Sequence, residues 1–143
     1  MRRLVSALGG RRIVCYGNSG GVFAALHYGL DLKAEAVLCL SGTTNISAQF
    51  NSHLLSGTDN GSANGKLPEA KVDLRRAYRI AERPPRARIV YAEHNWDDRL
   101  HAEHMKGLPT VTLQAVPGTA NHNVIMDLVL RGGYEVLLEW LLA

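Results

Sequence analysis

Ile13-Val14-Cys15-Tyr16-Gly17-Asn18-Ser19-Gly20-Gly21-Val22-Phe23-Ala24-Ala25-Leu26-His27-Tyr28 is the stretch that decides the fold. Its opening residues, Ile13 to Tyr16, form an apolar, β-prone run, and Val22 to Tyr28 read as a helix. Between them lies Gly-x-Ser-x-Gly. A turn this sharp holds the serine in a strained backbone conformation and asks for glycine on both sides. It lifts the hydroxyl off the sheet beside a helix N-terminus, where backbone N–H groups can meet a developing negative charge. The same residues also read as an ordinary glycine-rich turn with Ser19 capping the helix. A dinucleotide-binding turn joins strand to helix too. Here, however, the Gly-x-Gly-x-x-Gly register is absent and no acidic residue ends a following strand to hold a ribose.

A serine so placed needs a base, and the base an orienting acid, in the chain order Ser, Asp or Glu, His. Arg88-Ile89-Val90-Tyr91-Ala92 reads as a strand and is followed by Glu93-His94-Asn95-Trp96-Asp97-Asp98. Val111-Thr112-Leu113-Gln114-Ala115-Val116 alternates like another and runs into Pro117-Gly118-Thr119-Ala120-Asn121-His122. The candidate acids and the histidine each fall past the C-terminal end of a strand, the edge where open α/β sheets place their chemistry. Taken singly, each has a plainer reading. Asp97 or Asp98 suits the cap of a helix beginning near Arg99, and His122 suits a loop histidine bonded to a backbone carbonyl, with Asn123 capping the next helix.

From about Ile13 onward the chain resembles the second half of an α/β-hydrolase, with nucleophile elbow, strand–helix units, acid loop, histidine loop and closing helix. The resemblance implies Ser19 as nucleophile, His122 as general base and then acid, and Asp98 as the carboxylate orienting the imidazole, with Asp97 the alternative acid. It implies the Gly20 N–H as an oxyanion donor, and Gly17, Asn18 and Gly21 as the rest of the elbow. The expected fold is a truncated three-layer α/β sandwich of about four parallel strands. The expected activity is hydrolysis of small carboxylic esters through an acyl-enzyme, without cofactor or metal. The alternative is a hydrolase-like binding or scaffolding domain without turnover.

Only Met1 to Arg12 precede the elbow strand, and Arg2 to Leu8 read as a short helix ended by Gly9-Gly10. The resemblance therefore implies that the family's earlier strands are missing, along with the loop giving its second oxyanion donor. The elbow strand is then expected at a sheet edge, where an uncovered apolar run invites pairing. A second copy of the chain is the expected cover, giving a homodimer. A fragment of a longer protein, or a lineage that dispensed with the front half, are the other readings.

With 143 residues, 46% of them hydrophobic, the chain suits one domain spanning residues 1–143. Net charge is +3, from 16 Lys and Arg against 13 Asp and Glu. Arg75, Arg76, Arg79, Arg83 and Arg86 come nearest to a basic patch, and their spacing around Leu74, Ala77, Tyr78 and Ile80 suggests a solvated face, not a nucleic-acid surface. Cys15 and Cys39 fall inside apolar runs and act as small core residues in a reducing compartment. No signal peptide or membrane span is visible, so the cytoplasm is expected. His94, His101 and His104, with Glu93, Asp97 and Asp98, form a loose cluster that lacks zinc-ligand spacing. Residues 56–66 read as a flexible loop, Ser47 to Leu55 as a short helix, and Glu69 to Glu82 as a helix stopped by Arg83-Pro84-Pro85.

Overall fold

The computed structural model describes residues 12–47, 50 and 72–143. The expected N-terminal helix, the 56–66 loop and most of the helix over 47–55 lie outside them. The described chain runs β1 (Val14–Asn18), α1 (Gly21–Asp31), β2 (Ala36–Leu40), α2 (Leu74–Ile80), β3 (Arg86–Ala92), α3 (Trp96–His104), β4 (Val111–Val116), α4 (Val124–Leu130) and α5 (Tyr134–Leu142). The strands form one parallel sheet in the order β1-β2-β3-β4. Helices cover both faces, which makes the expected α/β three-layer arrangement.

Pleating sorts the strand residues between two cores. Val37 and Cys39 of β2, with Ala87 and Ile89 of β3, face α1, α2 and α3 through Val22, Leu26, Leu74, Tyr78 and Ala102. Ala36, Leu38 and Leu40, with Val90 and Ala92, face α4 and α5 through Val124, Leu128, Leu137 and Leu141. Every residue of β2 is buried, as its unbroken Ala-Val-Leu-Cys-Leu run predicts. Burying a side chain such as Leu38 contributes about 1.5–3 kcal/mol, so this strand is the anchor of the sheet. β1 pairs only with β2, and among the described residues no strand lies beyond it. Tyr16 on β1 is 41% exposed, its hydroxyl 3.3 Å from that of Tyr134 on α5.

Several boundaries differ from the sequence reading, each for a local reason. β1 continues through Asn18, so the turn begins inside the motif. β3 starts at Arg86, ahead of the apolar run, where Arg86 pairs with Ala36 at the start of β2, and Arg86 and Arg88 lay their guanidinium groups over the Trp140 ring at 4.9 and 4.5 Å. α2 is capped by Asp73, whose side chain accepts from the Arg75 and Arg76 N–H groups, and stops at Ile80 because Ala81 turns extended. α3 begins at Trp96, not near Arg99, because Asn95 takes the cap and accepts from the Asp98 N–H. Arg75 is half-buried and reaches across to the end of α3. Its Nη1 donates to the carbonyls of His104 and Lys106 at 2.7 and 2.6 Å, at the negative end of α3. No helix among the described residues is long and apolar enough to cross a membrane.

Candidate active site

The chain leaves β1 at Asn18 and enters α1 at Gly21. Between them Ser19 has φ 52°, a left-handed conformation that costs a non-glycine residue about 1–3 kcal/mol. Two bonds hold it there: the Ser19 N–H donates to Leu40 O at 2.9 Å, and the Val22 N–H to Ser19 O at 3.1 Å. Gly17 is sterically required. A Cβ there would lie 2.5 Å from Gly21 O and 2.8 Å from the Ala25 Cβ, where α1 crosses the strand. Gly20 and Gly21, by contrast, face open space, so the motif's glycine pattern is enforced on one side only. Gly20 occupies the N-cap of α1 and has no side chain to cap it. The plainer reading of Ser19 as a capping residue is thereby corrected: its hydroxyl points elsewhere.

It meets His122. Ser19 Oγ lies 2.8 Å from His122 Nε2, and His122 Nδ1 lies 2.6 Å from Asp98 Oδ1. With Nδ1–H donating to the carboxylate, Nε2 is left as the acceptor for the serine hydroxyl. The Asp98 side chain is 2% exposed, whereas that of His122 is 49% exposed. A buried acid thus grips an imidazole that stands at the open rim of the sheet. Asp98 Oδ2 is buried without a hydrogen-bond partner among the described residues. Asp98 lies in the first turn of α3, where a carboxylate suits the helix dipole. The bond to Nδ1 comes from Asp98, and the alternative acid Asp97 is its neighbour in the same turn.

Self-bonded loops set the height of the imidazole. Past β4, the Asn121 N–H donates to Thr119 Oγ1 at 3.1 Å, and that hydroxyl donates to Asp127 Oδ2 on α4 at 2.9 Å. The Asn123 N–H donates to Asn121 Oδ1 at 3.0 Å. Asn123 occupies the N-cap of α4 but makes no side-chain cap bond. The loop is tied across to the acid loop by the His94 N–H to Thr119 O at 2.9 Å and by Asn95 Nδ2 to Ala120 O at 3.2 Å. Asn95 therefore serves twice, capping the helix that carries Asp98 and bridging to the loop that carries His122. Sequence reasoning missed it, because the adjacent aspartates compete for the capping role.

The other histidines disperse to separate partners. His101 Nδ1 accepts from the Thr44 N–H at 3.3 Å, His104 Nε2 pairs with Asp73 Oδ1 at 2.7 Å, and His94 lies 3.5 Å from Glu93. Among the described residues, no group of three His, Cys, Asp or Glu side chains is gathered to hold a metal ion. Cys15 and Cys39 are free thiols, and burial pushes both of them up, which favours the protonated form.

No family model matches the chain, and no curated protein matches it. Solved structures do. A Staphylococcus aureus protein of unknown function superposes with a TM-score of 0.67 at 13% identity, over 97% of this chain and 67% of that one. A variant of AqdC, solved with its substrate in a study of recognition and ring-cleavage of the Pseudomonas quinolone signal, superposes at 0.56 and 18% identity. That match covers 94% of this chain and 68% of AqdC. AqdC with its product gives 0.54 at the same identity. At such identities the likeness is one of fold.

Proposed function

We propose that the chain is a serine hydrolase of the α/β-hydrolase type that cleaves small carboxylic esters. One observation carries the reading: an unbroken hydrogen-bonded chain from the Ser19 hydroxyl through His122 to buried Asp98, at 2.8 and 2.6 Å. Ser19 Oγ attacks the ester carbonyl carbon while its proton passes to His122 Nε2. Asp98 stabilises the imidazolium and keeps Nδ1 protonated. The Gly20 N–H, at the head of α1, faces the developing oxyanion. Collapse of the tetrahedral intermediate breaks the bond to the alcohol oxygen, which takes the proton from Nε2. Water then gives a proton to His122 and attacks the acyl-enzyme, and collapse returns that proton from Nε2 to Ser19 Oγ as the carboxylic acid leaves.

The half-exposed His122 supports short substrates, since an imidazole in open view of solvent leaves little wall to enclose a long acyl chain. Among the described residues no strand lies beyond β1, and the second copy expected from the sequence would cover that edge. The experiment is hydrolysis of p-nitrophenyl acetate by wild type and Ser19→Ala. The variant is expected to lose roughly a thousandfold or more of kcat. Equal rates would remove the serine mechanism and favour the binding or scaffolding domain.

A further inference from the structure

A second glycine is squeezed by the Ser19 turn, and it belongs to the segment that follows β2. A Cβ on Gly42 would collide with the Ser19 carbonyl oxygen and lie 2.6 Å from Cβ and Cγ2 of Val22. The main obstacle is backbone, which cannot swing aside. Two residues on, Thr44 is fully buried and locked to α3. Its N–H donates to His101 Nδ1 at 3.3 Å, and its hydroxyl donates to the His101 carbonyl at 2.7 Å. Asp98 and His101 are both buried and stand three positions apart, on one face of α3. The segment therefore presses one end on the residue that bears the hydroxyl and bonds the other to the helix that bears the carboxylate. Its start is pinned as well, by the Ser41 N–H to Val90 O at 2.8 Å.

We propose that Ser41-Gly42-Thr43-Thr44 is a spacer that fixes the separation of Ser19 from Asp98, with Gly42 and Thr44 as positioning residues for the Ser19–His122–Asp98 chain. Imidazole is rigid, so its two nitrogens meet both partners at 2.8 and 2.6 Å only over a narrow range of that separation. β1 does not touch β3 in the sheet order, and α3 follows β3, so the separation must be set across β2. The tail of β2 is where that setting is made. The catalytic consequence rests on the serine-hydrolase reading, whereas the geometry does not. A misplacement near 1 Å costs about a hundredfold in rate when reacting groups must be aligned.

The test compares wild type, Thr44→Val and Thr44→Ser for p-nitrophenyl acetate kinetics, fluorophosphonate labelling rate, melting temperature and the far-downfield Nδ1 proton resonance of His122. Thr44→Val keeps the side-chain shape and deletes the hydroxyl bond to α3. It is expected to lower kcat and the labelling rate roughly tenfold or more at unchanged KM, and to move the resonance. Thr44→Ser is expected to restore all of these. A Thr44→Val protein with a lowered melting temperature but wild-type kcat, labelling and resonance overturns the spacer, because a merely structural role moves the melt alone. If Thr44→Val does not fold at assay temperature, Gly42→Ala takes the same readouts with the same expected directions, and wild-type values there overturn the proposal equally. Should wild type neither hydrolyse nor label, the serine-hydrolase reading falls by itself. The resonance then decides the spacer: shifted in Thr44→Val upholds it, unmoved overturns it.

Discussion

Ser19 and Ser41 occupy matching places one strand apart. Each leaves the C-terminal end of a parallel strand with a positive φ, 52° and 42°, and each donates its N–H to the neighbouring strand, at Leu40 O and Val90 O. There the likeness stops. The Ser19 hydroxyl stands 2.8 Å from an imidazole, whereas Ser41 is fully buried and its Oγ has no hydrogen-bond partner among the described residues. Backbone strain is common to both, so strain does not distinguish them. What differs is the following element: β1 runs into a helix that carries the chain away from the rim, and β2 runs into a segment packed between the elbow and α3.

That contrast can be broken most forcefully at the acid. Asp98→Asn replaces the buried acceptor that fixes the His122 tautomer, and is expected to lower kcat by about a hundred- to ten-thousandfold. Asp97→Asn, one position away in the same turn, is expected to stay close to wild type, and steady-state kinetics on the pair checks both. A large loss in Asp97→Asn with little in Asp98→Asn would reverse the assignment of the carboxylate. A smaller effect sharpens the comparison of the serines themselves. Ser41→Gly relieves the positive φ and removes a buried unpaired hydroxyl, and is expected to stabilise the fold by about 1 kcal/mol with activity kept. Ser19→Gly is expected to stabilise by a similar or smaller amount, about 1 kcal/mol, while abolishing hydrolysis. Denaturant melts of the two variants read the gain. A loss of stability in both would mean that neither backbone is strained.

Much of the molecule could be read from local pattern. β2 declared itself because a strand covered on both faces must be apolar at every position. The elbow declared itself because Gly17 needs its hydrogen side chain against α1, a contact made within one strand–turn–helix unit. Asp98 and His122, which meet at 2.6 Å, were singled out by order along the chain, since each follows a strand at the same edge. What stayed hidden depends on pieces remote in sequence. Gly42 lies a helix and a strand beyond Ser19, so nothing near it announces the contact with that carbonyl. The ring over which Arg88 lies is equally remote, since Trp140 comes from the last helix. Asn95 was overshadowed by two aspartates of equal capping preference, and only the backbone path into α3 chose between them.

The reactivity of Ser19 is read most directly by treating the protein with a fluorophosphonate and locating the adduct by peptide mass spectrometry. A single modified serine is expected, Ser19, with labelling lost in His122→Ala and retained in Ser41→Ala. Recovery of an unmodified Ser19 peptide from folded, fully treated protein would contradict it.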